Sequence, residues 1–408
     1  MRFPFGNFRW PLWLVSILSV FWVAVSFQPL FDFVVFWTAS RIAESGQALQ
    51  AYDPDFLQRA VRQLRPQSQW VFGWYYPPTF YLTVYPLGRL SLGLSYLFFC
   101  LISLMGLGGI LYRLLKWEGV LWGVLSPATL LNFFTGQNGL LTAALAATAL
   151  WNLEKRPVLS GIFIGLLSIK PQMGILFPIA LIAGGYWRTL WVAGISVLLF
   201  MGGAAAVLGI DTFHAWLQVI PMSRASFEDS YAAWTLMPTL FSLGRQLGFS
   251  VPQAYAGQAL GTLLAILAVW QGWRNQNGPV HLKYALLMVA SILASPYAYY
   301  YDLTWVALSL VWLVSDIKPE VWQPWEKALL GLVWVSPLLI GLHFVIPFPL
   351  PQISPLILMG MLLLILRRIR RAKNLILFTG QGSLVTPLPN DPQESDTGQR
   401  TDLQMKDL

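Results

Sequence analysis

The strongest constraint on this chain is a train of apolar runs, each about 15 to 23 residues long, that recurs from residue 10 to residue 369. Runs of that length can cross hydrocarbon as helices, and they lack the short alternating segments of a lipid-facing barrel. Composition agrees, because 56% of the 408 residues are hydrophobic and only 11% are charged, where a soluble chain carries roughly a quarter charged. The sequence therefore predicts an all-α polytopic membrane protein. The expected spans are 10–30, 91–112, 119–134, 136–153, 157–170, 171–186, 189–209, 253–273, 282–297, 300–316, 328–346 and 353–369, about twelve transmembrane helices. Segment 10–30 is read as an uncleaved signal anchor. Segment 75–87 is apolar too, but Pro77, Pro78 and Pro86 argue for a re-entrant or interfacial piece.

The formal net charge of +8 is spread between the apolar runs rather than gathered in a patch, which argues for orientation in a membrane and against nucleic acid. Arg2, Arg9, Arg113, Lys116, Lys155, Arg156, Arg188, Arg274, Lys283, Lys318, Lys327 and the RRIRRAK cluster at 367–373 all fall on one side of the span scheme. That side is expected to be cytoplasmic, with both termini inside. Arg41, Arg59, Arg62 and Arg65 lie on the other side, in a loop long enough to translocate regardless of charge. The single cysteine, Cys100, excludes an internal disulfide.

Two long extracytoplasmic loops follow from this scheme, 31–90 and 210–252, within a transmembrane domain of residues 1–373. In the first loop, 33–45 suggests an interfacial helix ending at Gly46. AYDPDFLQRAVRQL suggests a second, with Asp53 as N-cap and Pro54 at its first position. Phe56, Leu57, Ala60, Val61 and Leu64 would form its membrane-facing stripe. Residues 374–408 are expected to be a cytoplasmic, mostly disordered tail, rich in Gly, Pro, Ser, Gln and Asp from Thr379 onward.

The conspicuous polar motifs all fall on the extracytoplasmic side. They are Asp32, WYYPPT (74–79), TGQN (135–138), IKPQ (169–172), the Asp211, His214 and Arg224 group, and SPYAYYYD (295–302). Taken singly, each has a plain structural explanation: a solvated acid at a helix end, a snorkelling Lys170, tight turns, an interfacial His214, an acid at the N-terminus of a helix for Asp302. Taken together, they imply one shared extracytoplasmic cavity.

DFVVFWTASRIAESGQALQAYD, YYPPT, TGQNGLLTAAL, GLLSIKPQMGILFPIAL and SPYAYYYDL, in that order, resemble glycosyltransferase family 87 over about residues 10–316. Its members are polytopic GT-C enzymes, typified by polyprenyl-phosphate-mannose-dependent α-mannosyltransferases. The resemblance implies a GT-C fold with an active site at the outer face of the plasma membrane. It also implies transfer of a hexose, mannose in the typical members, from a polyprenyl-phosphate sugar to a lipid-linked or glycan acceptor among membrane lipids. Inversion at the anomeric carbon needs one general base, and the acid that matches is Asp32. A buried setting would raise its pKa toward a useful value. The leaving lipid phosphate calls for a cation, Lys170 first and Arg224 second. Substrate contacts are expected from Trp37, Tyr75, Gln137, Asn138, Gln172, Tyr299 and Asp302, with Trp74 a further aromatic candidate for stacking on a sugar face.

No His-rich or acid-rich cluster suggests a metal, so the expected reaction needs neither metal nor cofactor. The alternatives are a flippase or transporter of a lipid-linked saccharide and a non-catalytic assembly subunit. A transporter would place ionisable residues near the midplane and carry duplicated halves, and this chain shows neither.

Overall fold

Proline sets where many of the helices begin. Pro54–Leu64, Pro78–Val84, Pro127–Thr135, Pro157–Leu166, Pro171–Gly174 and Pro324–Val335 each start on one. At that position the missing N–H is one that no helix could bond, and φ is already helical. The computed structural model describes residues 14, 17, 18, 32–66, 73–275, 278–315, 321–338 and 351–381, and among these there is no strand. Most of the expected first span and most of the expected tail lie outside the described residues, as does 339–346 of the eleventh span.

Among the described residues, three helices are long and apolar enough to cross a membrane: Leu92–Val124, Trp187–Leu208 and Val251–Trp273. Shorter apolar helices accompany them, including Gly139–Asn152, Val280–Ala294 and Tyr300–Ser315. The described residues form an all-helical membrane protein whose apolar runs differ in length and burial. Val280–Ala294 is buried at every position from Leu282 onward, and Thr304–Ser315 is buried throughout. A helix apolar all round belongs in the core of a bundle. These two pack on each other, with Val251–Trp273 against the first and Leu92–Val124 against the second. Trp187–Leu208 is the opposite case, with Trp191, Leu198 and Leu199 about 70% exposed and its buried side on Pro157–Leu166.

The expected boundary between 91–112 and 119–134 is a sharp fold-back inside Leu92–Val124, where Leu115 and Lys116 leave helical geometry and Lys116 takes φ 55°. Beyond it, Gly119 and Gly123 lie directly against Leu111. The run 119–134 is then broken again at Ser126, whose hydroxyl accepts from the Thr129 N–H at 3.3 Å to cap Pro127–Thr135. The final helix, Ser354–Gln381, continues past residue 373, where the sequence puts the end of the membrane domain.

The first long loop follows the sequence pattern closely in its helices and departs from it in burial. Phe33–Glu44 ends before Gly46 at φ 77°, and Asp53 accepts from the N–H groups of Asp55 and Phe56 ahead of Pro54–Leu64. The latter buries Leu57 and Val61 of its stripe and leaves Leu64 exposed. Phe33–Glu44, expected to be interfacial, is instead enclosed. It packs on Pro78–Val84 and Tyr85–Arg89, with the Ser40 hydroxyl donating to Val84 O at 2.8 Å and the Tyr81 hydroxyl to Ala39 O at 2.8 Å. Segment 75–87 is a short helix, Pro78–Val84, followed by the turn Tyr85–Arg89. It forms the floor on which the first helix of the loop rests.

Candidate active site

Asp32 immediately precedes that enclosed helix and is itself only 6% exposed. Its neighbour is Gln137. The Gln137 side-chain oxygen accepts from the Tyr76 hydroxyl at 3.2 Å and from the Asn138 N–H at 3.2 Å, so its amide nitrogen is left to donate to Asp32. Burial pushes the Asp32 carboxyl up to about 7, with the Gln137 hydrogen bond pulling the other way. Among the described residues no cation pairs with it. A carboxyl in this state exchanges a proton near neutrality, as a general base must.

The turn that carries Gln137 is built by glycine. Pro127–Thr135 ends in Gly136 at φ 72°, a left-handed position where a Cβ would also press on Phe33 at 2.5 Å. A Cβ on Gly139 would run into the Asn132 side chain and the backbone oxygen of Tyr301. Those two groups are joined, the Asn132 side-chain amide donating to Tyr301 O at 3.2 Å. Close approach of these backbones is what puts TGQN against SPYAYYYD.

Lys170 follows the short turn Leu167–Ile169, held out of helical geometry at φ −146° by Pro171. Its ammonium meets Asp302 Oδ1 at 2.6 Å, reaches Asn138 Oδ1 at 3.5 Å and lies 4.5 Å from the centre of the Tyr301 ring. The second Asp302 oxygen accepts from the Tyr299 N–H at 3.0 Å. Lys170 is 3% exposed and Asp302 is fully buried. The hydroxyl of Thr79, in YYPPT, donates to Ser168 O at 2.8 Å beside this turn. Asp32, YYPPT, TGQN, IKPQ and SPYAYYYD are therefore linked by direct contacts.

Other expected site residues sit at the edge of this group. The Tyr299 ring stacks on Tyr301 at 5.5 Å between centroids, and Phe227 packs edge-on against both Tyr75 and Tyr299. Arg224, one turn before Phe227 on the helix Asp211–Glu228, is well exposed, pairs with Glu228 and lies 5.1 Å over the Tyr255 ring. Three expected residues are elsewhere or uncommitted. Trp37 turns away to donate to Leu90 O at 2.9 Å, under Arg41. Trp74 is buried among Phe36, Phe80 and Tyr81. Gln172 is half-buried and makes none of these hydrogen bonds. Tyr76, Asn132 and Tyr301 are the residues that sequence reasoning passed over. Tyr76 and Tyr301 lay inside quoted motifs, whereas Asn132, three residues ahead of TGQN, carried no signal of its own. Among the described residues no three His, Cys, Asp or Glu side chains gather as a metal's ligands would.

The family model of glycosyltransferase family 87 matches residues 74–296, more than half of the chain. The chain belongs to glycosyltransferase family 87. It is a membrane glycosyltransferase, acting on a sugar donor and an acceptor. The family match takes in WYYPPT, TGQN, IKPQ and Arg224, and stops short of Asp32 on one side and Asp302 on the other. No curated protein and no solved structure matches the chain.

Proposed function

We propose that this family 87 glycosyltransferase moves a hexose, mannose by analogy with typical members, from a polyprenyl-phosphate sugar to a lipid-linked or glycan acceptor. The charge distribution between the apolar runs supports a multi-pass plasma-membrane topology with both termini cytoplasmic and the reaction on the extracytoplasmic face. Residues 1–373 form the catalytic domain in this reading.

The observation that carries the proposal is the setting of Asp32: enclosed, held by one amide, free of cations among the described residues, and titrating at about 7. Its carboxylate takes the proton of an acceptor hydroxyl while that oxygen attacks the anomeric carbon. The bond from that carbon to the phosphate oxygen breaks on the opposite face, and the lipid phosphate leaves with the electron pair. One base suffices for this single inverting displacement, where a double displacement would need a second carboxylate about 5 Å away as nucleophile.

The leaving phosphate requires a cation. Of the two that the sequence offers, Lys170 is enclosed and engaged with Asp302, whereas Arg224 is accessible beside the aromatic cluster of Phe227, Tyr75 and Tyr299. The order of preference therefore reverses, and Arg224 is assigned the donor phosphate. Tyr75 and Tyr299 are the aromatic rings placed to meet the sugar, with Gln137 and Asn138 behind them.

Asp32→Asn in proteoliposomes supplied with polyprenyl-phosphate mannose and candidate acceptors tests the proposal. Transfer should fall by roughly 10²- to 10⁴-fold in kcat. Transfer at the wild-type rate by a folded variant removes Asp32 as base. Movement of a lipid-linked sugar between leaflets, with no transfer by the wild type, marks a flippase instead.

A further inference from the structure

We infer that Lys170 and Asp302 form a neutral clasp that positions the surroundings of Asp32, and that neither side chain binds the sugar or its phosphate. An ammonium has three N–H groups to place. Those of Lys170 face Asp302 Oδ1 at 2.6 Å, Asn138 Oδ1 at 3.5 Å and the Tyr301 ring at 4.5 Å. The Asp302 carboxylate is equally committed, one oxygen to Lys170 and the other to the Tyr299 N–H at 3.0 Å. With Lys170 3% exposed and Asp302 fully buried, a phosphate arriving here would have to displace an internal carboxylate.

What the pair holds together is specific. Lys170 belongs to IKPQ, Asp302 to SPYAYYYD, and Asn138 to the turn between Pro127–Thr135 and Gly139–Asn152. The residue before Asn138 is Gln137, which hydrogen-bonds Asp32 and receives the Tyr76 hydroxyl. Consecutive residues of one turn thus face the clasp and the proposed base. Loosening Lys170 releases Asn138, and with it the amide that orients Asp32. A displacement of about 1 Å at a reacting group can cost roughly 10²-fold in rate, so a residue acting only through Gln137 is expected to matter for turnover.

A charge left alone by removal of its partner destabilises a buried site, whereas apolar replacement of both partners is often tolerated. That asymmetry provides the test, with purified full-length protein carrying K170M, D302L or both. Each single variant should lower the temperature of thermal unfolding, and the double variant should recover most of the loss. In transfer assays the single variants should lower kcat about tenfold or more while the donor KM stays within about twofold. The acid limb of their pH profile should shift, because the Gln137 contact that holds the Asp32 pKa down is disturbed. The double variant should regain a large part of kcat. Additive losses of stability in the double variant would overturn the clasp. A double variant as stable as wild type whose donor KM has risen tenfold or more would return Lys170 to the phosphate. The turnover arms rest on the proposed function, but the stability arm is read without substrate. Failure of the wild type to transfer sugar would therefore sink that function and leave the clasp to be judged by unfolding alone.

Discussion

Asp32 costs the folded protein stability when it is ionised, the state that the proposed reaction needs. Its folded pKa of about 7 lies above the ordinary 3.8, so between those values the folded state keeps a proton that the unfolded chain releases. Stability attributable to this group therefore falls as pH rises from about 4 to about 7 and stays at its lower level above that. Asp32→Asn should raise the thermal unfolding temperature at pH 8 and leave it nearly unchanged at pH 4. If Asp32 is the proposed base, wild-type transfer should rise with pH through about 7 as the carboxyl ionises, and the same substitution should remove that rise along with most of the rate. A variant no more stable than wild type at pH 8 would mean that water reaches the Asp32 carboxylate. Arg224 makes a separate prediction, because its proposed role is electrostatic and its side chain is exposed. Arg224→Ala should raise the donor KM by roughly ten- to a hundredfold, the loss of one charge-assisted bond, with kcat much less affected.

At the scale of elements, local chemistry was legible in the sequence and long-range partnership was not. Asp53 and Pro54 announce the start of Pro54–Leu64 because capping involves only neighbours, and the structure has that cap. Asp53→Ala should cost about 1 kcal/mol, read as a lower unfolding temperature of the first long loop by hydrogen exchange. The sequence offers Asp302 as a substrate contact or as an ordinary acid at a helix N-terminus, and nothing near it hints at Lys170, 132 residues away. Phe33–Glu44 shows the same limit from another side. Its period and its glycine stop are visible in the sequence, but its burial depends on Pro78–Val84 and Tyr85–Arg89 closing over it. Gly139 joins the two levels, since it is unremarkable in a helical run and indispensable where the Tyr301 backbone passes. Gly139→Ala should therefore lower transfer and stability together by parting Asn132 from Tyr301, whereas Gly108→Ala, with open space around it, should change neither.

For the whole molecule, an apolar run in the sequence measures hydrophobicity and says little about length in the bilayer. Lipid-facing and core helices both read as spans, yet Trp187–Leu208 is largely exposed along its length while Thr304–Ser315 touches only protein. The proposed topology is open to direct measurement because Cys100, the sole cysteine, is buried and gives a silent background. Cysteine introduced at exposed Gln47 should react with an impermeant maleimide on intact cells, and cysteine at exposed Lys155 only after permeabilisation. The reverse pattern would invert the protein in the membrane. The short core helices carry a consequence for the solvent of the reaction. Tyr300–Ser315 rises about 24 Å at the α-helical repeat, against about 30 Å of hydrocarbon. A helix that short, buried throughout from Thr304, is walled by protein rather than by lipid, and Asp302 at its start is fully enclosed together with Lys170. Water is a scarce reagent in such an enclosure, so in the proposed reaction an activated sugar would meet an acceptor hydroxyl more often than hydrolysis.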